Sequence, residues 1–231
     1  MKPSLVKEST PASSPPKYRN HGLERIIADN KDSSELDLQS KNLTDQDMEI
    51  VAYYALCNNQ TLHDFGLGTN RIGENEAKYL AEALRDNMTL NNLDFVNNQI
   101  GGRGAQYLFE ALQQNRTIKR IDLQGNQIGA DGTQLMCNAL RNNTTLTWLS
   151  LHENQIGEQG TQYLAYALRD NASRPLFSLL HLDPYRKKNQ AKFQEYSYKQ
   201  FVTLNEYWKW LRNDFIPNLR AQGWYNGQYP Q

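Results

Sequence analysis

The chain has 231 residues, and its 25 Lys and Arg balance 25 Asp and Glu, so no surplus positive charge is available to bind nucleic acid. A mean hydropathy of −0.78 and the lack of about 18 consecutive apolar residues predict a soluble chain without a membrane span. The first residues also lack the apolar stretch of a secretory signal, so we expect a cytoplasmic protein.

Two short segments precede the main body of the chain. Residues 1–20 are rich in Ser, Pro and Lys and contain little apolar surface, which predicts disorder. Over residues 21–32, Leu23, Ile26 and Ile27 have helical spacing. We expect this helix to cap the domain that follows.

A 28-residue repeat fills the middle of the chain. Four Asn-x-Ile-Gly tetrapeptides recur at this interval, and they begin at Asn70, Asn98, Asn126 and Asn154. A degenerate copy carries Lys41 at the Asn position and reaches the next copy after 29 residues. We expect the extra residue near Tyr53 and Tyr54.

Each repeat predicts a strand, a turn and a helix. Alternating apolar residues such as Leu93 and Phe95 indicate a strand of about four residues with one buried face. The Asn side chain is expected to satisfy backbone groups of the turn, and the Gly to allow the backbone to leave it. Leu108, Ala111 and Leu112 then lie at helical spacing. One such unit cannot bury its own apolar faces, so the units must stack.

This pattern resembles the leucine-rich repeat of the ribonuclease-inhibitor type, which also occurs in NOD-like innate immune receptors. The resemblance covers residues 33–182. It implies an α/β fold, a short horseshoe-shaped leucine-rich repeat solenoid with parallel strands on the concave face and helices on the convex face. A last strand is expected over 176–182.

The composition changes in residues 183–231, where a polar linker precedes an aromatic segment. Thr203 and Glu206 form a capping-box pattern, which predicts a helical cap on the last repeat. Residues 200–228, with Trp-Tyr-Asn-Gly at 224–227, instead resemble the start of the extracytosolic domain of polycystin-type channels. That resemblance implies a fragment or relative of a membrane channel with an appended repeat domain.

Signals for catalysis are missing from the sequence. No phosphate loop or nucleophile elbow is present, the four His are not spaced as metal ligands, and neither Cys57 nor Cys137 has a Cys-x-x-Cys partner. We therefore expect a non-enzymatic protein that uses no cofactor or metal, with both thiols buried. Five glycosylation sequons also recur every 28 residues, and we attribute them to repeat geometry.

The outward side chains of the strands remain as a candidate binding surface, because solenoids bind partners on such faces. Asp37, Asp94 and Asp122 share one column, an acidic strip suited to basic groups, and Trp148 is expected to be exposed. The alternative for Trp148 is burial under the aromatic segment. The candidate partner-binding residues are Asp94, Arg120, Asp122, Gln124, Trp148, His152 and Glu153. We expect binding of a protein or peptide, and a sensing module of the immune-receptor type is the other alternative.

Overall fold

The computed structural model describes residues 15–157 together with 159, 160, 163, 164 and 167. All of them belong to the first of two units into which the chain divides, Met1–Asp183. The second unit, Pro184–Gln231, lies outside the described residues. The predictions for 1–14, for the strand at 176–182 and for the linker and aromatic segment therefore fall outside the described part.

Strands and helices alternate along the described chain. The helices are α1 His21–Asp29, α2 Asp45–Ile50, which continues as a π-helix Val51–Cys57, α3 Glu74–Asp86, α4 Gly101–Leu112 and α5 Gly129–Leu140. The strands are β1 Glu35–Asp37, β2 Asp64–Gly66, β3 Asn92–Asp94, β4 Arg120–Asp122 and β5 Trp148–Ser150. They form one parallel sheet in the order β1-β2-β3-β4-β5. This confirms the predicted α/β repeat solenoid.

The core lies between the sheet and the helices. The middle residue of every strand is buried, while the residues on either side of it point to the opposite face. These buried residues are Leu36, Phe65, Leu93, Ile121 and Leu149. The strands have three residues rather than the expected four or so. Ser150, which we expected to face outward, is only 5% exposed. Its short side chain does not project beyond its neighbours on a concave surface.

The repeated Asn residues form the predicted ladder between turns. Asn98 donates through Nδ2 to the carbonyl oxygens of Leu67 at 3.0 Å and Phe95 at 2.9 Å. Its Oδ1 accepts from the backbone N–H of Asn70 at 3.0 Å and of Ile72 at 2.9 Å. One buried amide therefore satisfies backbone groups in two successive repeats, which would otherwise be unpaired inside the protein.

The extra residue of the first repeat is accommodated in the helix rather than in the sheet. The register between β1 and β2 pairs residues 29 apart, whereas β2 and β3 pair residues 28 apart. The helical segment between β1 and β2 widens into the π-helix, which contains Tyr53 and Tyr54. This confirms the predicted position, because a π-helix is the usual result of one inserted residue in a helix. The prediction for Cys57 is partly wrong, because its side chain is only half-buried. The added residue turns the end of this helix relative to the stripe expected from the repeat.

A second column of buried Asn residues explains the sequons. Asn87, Asn115 and Asn143 donate through Nδ2 to carbonyl oxygens of the preceding repeat, at 2.9, 2.8 and 2.6 Å. Asn59 is also buried, and Asn171 lies outside the described residues. Because Nδ2 is the atom to which a glycan is attached, these four nitrogens are unavailable in the folded protein.

The first repeat is covered by α1, as predicted for residues 21–32. Asn20 accepts the N–H of Leu23 at 3.1 Å and so caps the helix. The same Asn donates to the buried Asp47 at 2.7 Å. Leu23 and Ile27 are buried, while Ile26 is only half-buried. Residues 15–20 are thus described in the structure and contact the cap.

Candidate functional site

The concave face is built by the parallel register of the sheet. Because equivalent residues of neighbouring strands are paired, their outward side chains line up in columns across the sheet. The first strand positions give Glu35, Asp64, Asn92, Arg120 and Trp148, and the third give Asp37, Gly66, Asp94, Asp122 and Ser150. A groove of about 320 Å³ runs over these columns.

Arg120 and Trp148 lie side by side at one end of this groove. The Arg120 Cζ is 4.4 Å from the centroid of the Trp148 ring, a cation–π contact between paired positions of β4 and β5. Arg120 is exposed and Trp148 is half-buried, so the expectation of a fully exposed Trp148 is corrected: the guanidinium covers part of the ring. Arg120 forms no ion pair with the residues that the structure describes.

The column of carboxylates has a common local geometry. Oδ1 of Asp37, Asp94 and Asp122 accepts the backbone N–H two residues later, at 2.8, 2.7 and 3.0 Å respectively. Such a turn fixes the side chain and uses only one of its oxygens. The pKa of Asp94 is raised above its ordinary value, first by burial and then by the charges of Asp122 and Asp37. The N–H of Val96 opposes this shift.

Carboxylates outnumber cations on this face. The acidic residues that line the groove are Glu35, Asp37, Asp64, Asp94 and Asp122, and the basic residue among its lining is Arg120. Asp64 accepts a short hydrogen bond from the side chain of Asn92. The groove is therefore an acidic surface with an aromatic end.

The structure separates the predicted site residues into two groups. Asp94, Arg120, Asp122 and Trp148 line the groove together. Gln124, His152 and Glu153 lie outside this lining, where the strands enter the turns. His152 Nε2 is 3.2 Å from Glu153 Oε1, and Glu153 has a left-handed backbone with φ of 56°.

Sequence reasoning left several groove residues out of the candidate set. Glu35, Asp64 and Asn92 line the groove, and the period-2 pattern had already placed them on this face. Their shared acidic or polar character was the signal that could have included them.

Comparisons with known proteins agree with this architecture. The family description "Leucine Rich repeat" matches residues 86–109 and 114–137. The chain is a leucine-rich repeat solenoid. No curated protein matches it significantly.

Two solved structures have a similar fold. Actin-binding site 2 of leiomodin-1 superimposes with a TM-score of 0.54 and 25% identity, over 75% of this chain and 92% of that one. The C-terminal domain of tropomodulin from Caenorhabditis elegans gives a TM-score of 0.52 and 17% identity, over 64% and 90%. The narrower resemblances, to NOD-like receptors and to polycystins, stay predictions.

The chemistry of the leucine-rich repeat domain can be assessed where the structure describes it. There, no three His, Cys, Asp or Glu side chains converge as a metal ion would require. Burial raises the pKa of Cys57 and brings that of Cys137 to about 12, so both thiols stay protonated at neutral pH. In the same part of the chain, no helix is long and apolar enough to cross a membrane.

Proposed function

We propose that this chain is a non-enzymatic interaction module that binds a protein or peptide on its concave face. Asp94, Arg120, Asp122 and Trp148 would contact the partner, with Gln124, His152 and Glu153 at the rim. The supporting observation is the Arg120–Trp148 pair at the end of a groove lined by carboxylates. Trp and Arg are the residue types that most often dominate the binding energy of an interface.

The size of the face limits what it can hold. Five strands spaced about 4.8 Å apart span roughly 20 Å. This length fits about six residues of an extended peptide or one short helix. We therefore propose that the partner inserts a single segment rather than a whole domain.

Actin is the partner to test first. The leiomodin-1 fragment that aligns over 92% of its length with this chain is, by its title, an actin-binding site. A binding surface is not transferred by fold alone, so the proposal needs a direct measurement. Actin binding also agrees with the cytoplasmic location predicted from the sequence.

The experiment uses the purified full chain with monomeric and filamentous actin. We expect co-sedimentation with filaments or a fluorescence change of labelled monomers, and at least a ten-fold loss of affinity in Trp148→Ala/Asp122→Ala. Asn138→Ala, an exposed position on α5, is the matched control and should bind like the wild type. Absence of binding to both forms rejects actin as the partner.

A second measurement tests the concave face without assuming actin. A photo-cross-linking residue is placed at Gln124, beside the groove, and in a separate variant at Asn138 on a helix. We expect a discrete cross-linked protein in cell extract only from position 124. Equal labelling from both positions, or labelling from 138 alone, would contradict a concave binding site.

A further inference from the structure

Building on the concave-face function proposed above, we infer that the partner's docking segment is basic. Its Arg or Lys side chains would lie along the row formed by Asp37, Asp94 and Asp122. We further infer that Trp148 is a positioning residue, which keeps this row free of an internal counter-charge by holding Arg120 on its ring.

The first observation is that the row lacks a cation of its own. Each of the three carboxylates has one oxygen bound to a backbone N–H, and the other makes no hydrogen bond or ion pair with a described residue. Asp94 and Asp122 are directly paired across β3 and β4. Like charges at such positions repel each other, so the fold maintains an arrangement that an added cation would relieve.

The second observation concerns the position of Arg120. It lies on β4, the same strand as Asp122, and so close to carboxylates that an ion pair would be the ordinary outcome. Its guanidinium instead lies 4.4 Å from the Trp148 ring centroid. A guanidinium stacks well on an aromatic face and is held there at low entropic cost. The stack therefore separates the positive charge from the acidic row.

The third observation is the shape of the row at β2. The position between Asp37 and Asp94 is occupied by Gly66, where a Cβ would lie 3.0 Å from Asp37 Oδ1. Space above the Gly66 backbone is thus occupied by the Asp37 carboxylate rather than by a side chain of β2. A guanidinium entering there would meet carboxylates from β1 and β3, the arrangement that suits its several N–H donors.

The charge of the whole chain does not explain such binding. Its formal net charge is zero, so a basic peptide gains no general attraction to the protein. Specific binding of a basic segment must then depend on the local field of this face. Exposed acidic residues elsewhere provide the control for that distinction.

The probe is a fluorescein-labelled 12-residue peptide with Arg at every third position and Ala between, which spaces the charges by about 10 Å when extended. Fluorescence anisotropy with the full chain should show binding of this peptide, and no binding when Glu replaces Arg. Asp94→Asn/Asp122→Asn should weaken binding at least ten-fold. The control Glu74→Gln/Asp131→Asn removes two exposed carboxylates on helices and should leave binding unchanged. Equal losses in both variants would overturn the proposed site.

A double-mutant cycle tests the role of Trp148. Arg120→Ala should tighten binding of the Arg peptide, because it removes a positive charge near the row. Trp148→Ala should weaken it about five-fold, since the released Arg120 can then pair with the carboxylates. In the Arg120→Ala background, Trp148→Ala should have no effect. An equal loss in both backgrounds would mean that Trp148 contacts the peptide directly, and would overturn its positioning role.

The outcomes separate this inference from the proposed function. If a cross-linked partner or actin requires Trp148 and Asp122, but the Arg peptide ignores the Asp94→Asn/Asp122→Asn change, the basic segment is wrong and the concave site stands. If neither ligand responds to changes on this face, the concave site itself is rejected. Circular dichroism of each variant confirms that the repeats are folded.

Discussion

The carboxylate of Asp94 lies on the concave face between the charges of Asp37 and Asp122, with Arg120 on the neighbouring strand held on Trp148. Burial and the two like charges raise its pKa above the ordinary value for Asp. A raised folded-state pKa means that the folded protein binds the proton more tightly than the unfolded chain does. Its stability therefore decreases as pH rises from the unfolded pKa through the folded one.

We expect Asp94→Asn to be more stable than the wild type at neutral pH. The amide keeps an oxygen that can accept the Val96 N–H, and it removes a repelled charge worth about 0.5 kcal/mol between neighbouring strands. The gain should vanish near pH 3, about one unit below the ordinary pKa of Asp, where both side chains are mostly neutral. Urea unfolding at the two pH values measures it, with Asp131→Asn as the control.

The same substitution should weaken binding of the Arg peptide. A residue whose removal stabilises the fold but harms binding is typical of a functional position. A variant that is less stable at neutral pH would show that the carboxylate supports the fold instead.

At the scale of side chains, periodicity predicted positions but not contacts. It placed Arg120 and Trp148 on the concave face, since both follow the period-2 pattern of a strand. It could not choose between an Arg120 that pairs with Asp122 and one that stacks on Trp148, because that choice is made by rotamers. The same limit applies to the removal of Gln124, His152 and Glu153 to the rim, which depends on where the turns begin.

At the scale of elements, the repeat carried most of the information. The strands, the helices and the Asn ladder recur several times, so each copy supports the others. The extra residue near Tyr53 and Tyr54 was visible as a spacing of 29 in a chain otherwise spaced by 28. Its accommodation as a π-helix, and the partial exposure of Cys57 that accompanies it, required the three-dimensional structure.

Helices α4 and α5 approach each other through two glycines. A Cβ on Gly132 would lie 2.3 Å from the Cα of Gly102, and one on Gly102 would lie 2.7 Å from the Cα of Gly132. Because both neighbours are backbone atoms, no side chain can rotate away to make room. The helices must separate to accept a methyl group.

We therefore expect Gly132→Ala to lower the free energy of unfolding by about 2 kcal/mol, the usual cost of overpacking. Gly22→Ala in α1 is the matched control, because the nearest atom to its Cβ is 3.5 Å away. There Ala is the better helix former and should stabilise by up to about 1 kcal/mol. Chemical denaturation followed by circular dichroism measures both. A Gly132→Ala protein as stable as the wild type would show that the helices have slack at this contact.

At the scale of the whole molecule, the Asn ladder joins units that touch only their neighbours. In such solenoids, stability is a sum of terms within repeats and between adjacent repeats. Asn98 contributes to an interface term, since it bonds to the backbone of its own turn and of the turn before it. A change at Asn98 should therefore affect both repeats it connects.

Asn98→Ala removes four hydrogen bonds of 3.0 Å or less and leaves the N–H groups of Asn70 and Ile72 without their acceptor. Unsatisfied buried groups of this kind make a loss of roughly 3 kcal/mol the expected result. Hydrogen exchange should show lower protection from β1 through β5, because the stacked repeats fold as one cooperative unit. Gln99→Ala, at an exposed neighbouring position, is the control. If exchange increases only in the turn at residues 97–101, the repeats open independently and the ladder does not couple them.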